Sequence, residues 1–309
     1  TNSPNNEMND ILQHLQEPWA LRALAASCMV GVMCGMLGCF IVLRNMALIG
    51  DALSHAILPG VVIAFQIVGQ STLGFFAGSV TAGLLSAVVI TWIQRNVKTK
   101  NDAAIGIVFT AMFSIGVIGI SSISRQPGVH LDLKDFLFGN VLGVTNEDLW
   151  LTAAITVYVL LSVAVFYRYL FITTFQPVIA QTMGISVRVI HYFLMLLLSF
   201  AVVASLQTVG VILVVAMLIT PASTALLLSD RLQKVLMLAA LFGLLSAVVG
   251  LMAAIQFETT PGPAMAVTAT IFYLLAAFLS PKKGLIFSYF QKLKLQRRIH
   301  LEDTLKQAF

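Results

Sequence analysis

Apolar positions along this chain gather into long runs separated by short polar stretches. A bilayer core takes about 20 predominantly apolar residues per helix. Runs of that kind cover 19–43, 50–69, 72–94, 103–123, 149–167, 191–208, 209–228, 235–255 and 264–280. Only Gln207 and Thr208 separate the sixth run from the seventh, but the two together have the length of two spans. The pattern predicts an all-α, polytopic transmembrane helix bundle of nine spans, with eight as the alternative. Three regions follow from it: a polar, acidic N-terminal segment at 1–18, a transmembrane domain at 19–281 and a basic tail at 282–309. Residues 1–17 lack the basic start of a signal peptide, and the first apolar run is too long for one, so it reads as a retained span.

Composition agrees with the pattern. Charged residues make up 10 % of the 309, apolar ones 59 %, and the mean hydropathy is +0.94. An ordinary soluble domain has about 25 % charged residues. A cytosolic globular enzyme, a disordered chain and a secreted disulfide scaffold are excluded. Cys28, Cys34 and Cys39 fall in one apolar run without a CxxC pair and read as packing residues.

The net charge of +5 does not point to nucleic acid, because the basic residues sit between the apolar runs. Alternating sides from an external N-terminus leaves Arg22, Arg125 and Lys134 outside and the other fifteen Lys and Arg inside. Positive residues favour the cytoplasmic side, so the expected orientation is N-terminus outside and C-terminus inside. The basic tail then lies near the inner leaflet, where it could hold anionic lipid. Three longer segments join or follow the spans: an external loop from Ser124 to Asp148, an internal loop from Arg168 to Ile190, and the tail after Pro281. The run Phe136–Leu142 in the external loop is too short to span and has re-entrant character. No Walker A pattern occurs, so any ATP-driven work needs a separate subunit.

Ionisable groups are almost absent from the apolar runs. Where they occur within a span they are costly and usually mark a substrate path or a proton relay. The exception here is Asp51 with His55, spaced i and i+4 on one helical face. Ser54 flanks that face as a possible pathway residue. A carboxylate oxygen and an imidazole nitrogen suit manganese, iron or zinc, without the thiolates that favour copper(I) or a closed zinc site. Two ligands leave positions open for water, as a transported ion requires. Pro59 and Gly60 weaken the helix just beyond. Taken alone, the same pair could be a buried structural pair or a proton relay. His130 belongs to the polar external loop, His191 to a span boundary with a structural role, and His14 and His300 to the terminal segments. An intramembrane protease is disfavoured, since neither HExxH nor a GxSx motif with a span histidine is present.

The stretch LRNMALIGDALSHAILPGVVIAF (43–65) resembles the metal-ion class of ABC importer permeases. So do FLFGNVLGVT (136–145), QPVIAQTMGISVRVIHY (176–192) and SLQTVGVILVVAMLITPASTALLL (205–228), in the family's order and spacing. The resemblance implies a non-enzymatic membrane subunit in a bacterial plasma membrane, paired with a second permease subunit. It implies two cytosolic ATP-binding subunits and an extracytoplasmic metal-binding protein as partners. The cargo would be a divalent metal, manganese ahead of zinc or iron on the HAILPGV segment, with no covalently bound cofactor. It places Asp51 and His55 on the metal pathway and makes Pro177, Ala180 and Gly184 part of the ATPase-coupling loop. The block around Gly210, Thr220 and Pro221 looks like a packing and hinge element, with Pro221 freeing a backbone carbonyl. A proton-coupled secondary metal transporter using Asp51 and His55 is the alternative function.

Overall fold

A computed structural model of the chain describes residues 18–69, 71–98, 100–123 and 143–280. The N-terminal segment, most of the external loop (with the run Phe136–Leu142 and His130) and the basic tail lie outside the described residues. All regular structure among the described residues is helical. The twelve helices are α1 Pro18–Leu43, α2 Leu48–Ala56, α3 Leu58–Val68, α4 Thr72–Asn96, α5 Asn101–Ile123, α6 Asn146–Val165, α7 Tyr167–Phe175, α8 Pro177–Thr182, α9 Val187–Val209, α10 Val211–Leu228, α11 Leu232–Gln256 and α12 Pro261–Leu279. Nine spans are long and apolar enough to cross a membrane among the described residues, α2 and α3 together forming the second. The chain is a multi-pass membrane protein.

Local chemistry sets the helix ends. Ser71 and Ser186 cap α4 and α9 by accepting hydrogen bonds from Gly74 N and Val189 N. Thr145 and Asp148 close a reciprocal capping box at the start of α6. Pro177 and Pro261 stand in the first turns of α8 and α12, where a missing N–H costs nothing.

The break between the sixth and seventh spans falls at Gly210 rather than at Gln207 and Thr208. Gly210 has φ +81°, a left-handed value that a residue with a Cβ resists. Gln207 and Thr208 lie in the last turn of α9, where Thr208 returns its hydroxyl proton to Ser205 O and Ala204 O. The internal loop is also more helical than its sequence announces. It holds α7 as well as the short α8, because α6 ends at Val165 and the chain turns at Phe166 before continuing as helix.

Two groups of helices build the bundle. In one, α1 packs against α10 and α11, which pack against α12. A Cβ added at Gly31 would lie 2.5 Å from the Gly243 carbonyl oxygen, and one at Gly35 would lie 2.7 Å from that of Ala239. The α1 and α11 backbones therefore touch, the close approach that small residues permit between membrane helices. In the other group, α2 and α3 pack on α4 and α5. Between them runs α9, buried along most of its length and in contact with α1, α2, α4 and α6. Cys34 and Cys39 are buried in this core, and Cys28 is partly buried.

Candidate metal passage

The second span is broken in the middle. Pro59 has no backbone N–H to continue the ladder, and the chain turns at Ile57 before resuming as α3. Ahead of the break, nine-residue α2 carries Asp51 in its first turn and His55 in its last. One helical turn brings His55 Nε2 to 3.7 Å from Asp51 Oδ1. That distance is too long for a hydrogen bond. It suits a shared ion: bonds of about 2.1 Å from one cation to both atoms would subtend about 120°.

The two side chains are solvated differently. His55 is 17 % exposed and Asp51 47 %. The imidazole is held by Phe109 and Phe113 of α5, with ring centroids 5.4 Å and 5.2 Å away. Its Nδ1 is buried and has no hydrogen-bond partner among the described residues. A buried polar atom left unpaired is unusual, and a bound ion or water would satisfy it. Among the described residues, no third His, Cys, Asp or Glu joins the pair.

Ser54 takes a different position. It is fully buried, and its hydroxyl donates to Gly50 O at 2.9 Å, on the side of α2 packed into the bundle. Asp51 and His55 are thus brought together, while Ser54 is turned into the protein. Pro221 is buried within α10, which runs through it without interruption. Thr224, one turn on, donates to Thr220 O at 2.7 Å. His191 reaches Thr91 Oγ1 at 3.4 Å and links α9 to α4.

Pro177, Ala180 and Gly184 form one unit, remote in sequence from α2. Pro177 opens α8 and Ala180 is fully buried. Gly184 closes the helix at φ +78°: its N–H donates to Gln181 O at 3.0 Å, and that of Ile185 donates to Ala180 O at 2.9 Å. This pair of bonds is a Schellman ending, which favours glycine at the left-handed position. Val178, Ile179 and Met183 are left exposed beside it.

One contact was not foreseen from the sequence. Arg44 caps the end of α1, and its Nη2 and Nε donate to Thr173 and Thr174 of α7 at 2.9 and 3.1 Å. Burial pulls the guanidinium below its usual pKa. The only local signal was a basic residue at a span end, which membrane orientation already explained.

Comparison with known proteins identifies the family. The chain is 48 % identical over 279 residues to the manganese transport system membrane protein MntC of Halalkalibacterium halodurans, covering 90 % of this chain and 93 % of that one. It is 41 % identical over 261 residues to the manganese import system permease protein ScaB of Streptococcus parasanguinis, covering 84 % and 90 %. Among solved structures it is similar to PsaBC from Streptococcus pneumoniae in complex with Fab, with a TM-score of 0.81, 38 % identity and coverage of 93 % and 99 %. The ABC 3 transport family profile matches residues 16–280, and the chain belongs to that family.

Proposed function

We propose that this chain is the membrane permease subunit of an ATP-driven importer for a divalent transition metal. Manganese is favoured, in keeping with the names of the relatives. The ion is handed over by an extracytoplasmic binding protein and passes Asp51 and His55 on its way to the cytoplasm. ATP hydrolysis belongs to separate cytosolic subunits, which engage the exposed apolar side of α8. The N-terminus faces outward and the C-terminus inward, as the lysine and arginine distribution favours. Pro221 in α10 is the bending point.

The observation that carries this reading is the Asp51–His55 gap of 3.7 Å, with Asp51 half exposed within a span. A structural pair would close to hydrogen-bond distance and withdraw from solvent. Two donors from one chain also leave a first-row metal under-coordinated. A second permease subunit facing the exposed carboxylate would add its own carboxylate and imidazole, and water the rest.

Metal accumulation in cells carrying the intact system, measured beside membrane expression, tests the assignment. Asp51→Ala and His55→Ala are each expected to abolish uptake while the subunit still assembles with its ATPase. Normal uptake in either variant defeats it. Loss of uptake that follows the proton gradient instead of ATP would favour proton-coupled secondary transport.

A further inference from the structure

The Arg44 fork joins two parts of the molecule that the proposed function keeps separate. Its guanidinium has no carboxylate within 4 Å among the described residues and ends on two neutral hydroxyls of α7. Each threonine commits its own proton to the backbone, Thr173 to Tyr169 O at 2.7 Å and Thr174 to Leu170 O at 2.6 Å. Both hydroxyls can therefore only accept from Arg44, which fixes the direction of every bond. A cation at the C-terminal end of α7 also meets that helix's negative pole. Lysine, a single point of charge, could not span both acceptors in this way.

Short, stiff pieces lie on either side of the fork. On one side, Thr174 is three residues from Pro177, the first residue of α8. On the other, Arg44 sits in a tight turn: Asn45 N–H donates to Val42 O at 3.0 Å, and Met46 N–H to Ile41 O at 3.0 Å, with Asn45 at φ +55°. That turn leads directly into α2, with Asp51 seven residues after Arg44. The backbone contacts with α11 restrain α1 itself, so a displacement at the fork passes to the turn and the helix that follows it.

We infer that Arg44 is a positioning residue that transmits displacement of α7 and α8 to α2, and so sets when the Asp51–His55 pair is open to metal. The inference rests on the proposed roles of α8 and of that pair. It predicts that breaking the fork uncouples the two without removing either. Two variants break it from opposite sides: Arg44→Gln removes the donors, and the double variant Thr173→Val with Thr174→Val removes the acceptors.

The test uses the full permease–ATPase complex in proteoliposomes supplied with the binding protein and manganese, reading metal delivered per ATP hydrolysed, and separately manganese affinity. Each variant is expected to lower the ratio by roughly two- to thirtyfold, the range that coupling residues span. Manganese affinity and basal hydrolysis should stay near wild type. Combining the two should lower the ratio no further, and Arg44→Lys should recover part of it. An unchanged ratio, additive losses or a loss of manganese affinity would overturn the proposal. If Arg44→Gln fails to assemble, the threonine variant decides by the same ratio, and failure of both to assemble makes Arg44 a folding contact only. A wild-type complex whose hydrolysis moves no metal would defeat the underlying functional reading instead.

Discussion

The first two spans are both about two-thirds buried, yet they serve opposite ends. In α1, 26 residues run unbroken, and small residues press its backbone against that of α11. In the second span a proline splits 21 residues into α2 and α3, and the first piece carries two ionisable groups. Equal burial therefore says little about role. The difference lies in continuity and polarity: the unbroken, apolar helix is a strut, and the broken one presents donors that have not closed on each other.

The largest effect should come from attacking the strut. Gly31→Leu or Gly243→Leu forces a side chain into facing backbone, which cannot move aside as a flexible side chain can. A cost of about 3 kcal/mol or more is expected, at the upper end for overpacking. Thermal unfolding and yield of the purified subunit measure it. Asp51→Ala, by contrast, should leave both near wild type. A stable Gly31→Leu protein would show that the α1–α11 seam is looser than described.

A smaller effect belongs to Gly184. Among the described residues nothing lies within 4 Å of a Cβ added there, so a substitution meets backbone strain at φ +78°. Left-handed geometry costs an L-residue about 1–2 kcal/mol, least for asparagine. Transport per ATP in the reconstituted complex should fall from Gly184→Asn to Gly184→Ala to Gly184→Val, with metal binding intact. A valine variant that couples normally would make the 176–188 segment a connector.

Smaller still is the effect of acid. Protonated imidazole has no lone pair for a metal, and the reference pKa of histidine is about 6.5. Manganese affinity of the purified complex should drop between pH 7.5 and 5.5, by up to about tenfold for each imidazole, or about 1.4 kcal/mol. In His55→Ala the profile should flatten over that range. Parallel profiles would show that His55 does not bind the ion.

Much of this architecture was legible from the sequence because membrane spans depend on length and polarity more than on partners. The apolar runs lie within four residues of the observed spans at every end, and the weakness at Pro59–Gly60 became the break at Ile57. The i, i+4 spacing alone placed Asp51 and His55 together, since one helical turn fixes their separation. The aromatic wall of Phe109 and Phe113 was not legible, nor was the Arg44 fork: both join residues more than fifty positions apart, and only tertiary packing brings them together. Ser54 was half legible. Its helical position was right, but a buried hydroxyl without a partner would be costly, and the nearby Gly50 carbonyl claimed it. The Gly210 break was misplaced because polarity drew the boundary to Gln207 and Thr208, whereas backbone freedom decided it.

Direct manganese binding to the purified permease–ATPase complex at pH 7.5, with the binding protein left out, tests the central claim. Wild type should bind the ion, and Asp51→Ala and His55→Ala should each weaken binding by more than about a hundredfold, beyond what outer-shell changes bring. Magnesium and calcium, which prefer all-oxygen shells, should compete poorly. Wild-type affinity in both variants, in complexes that remain folded and assembled, would contradict the account.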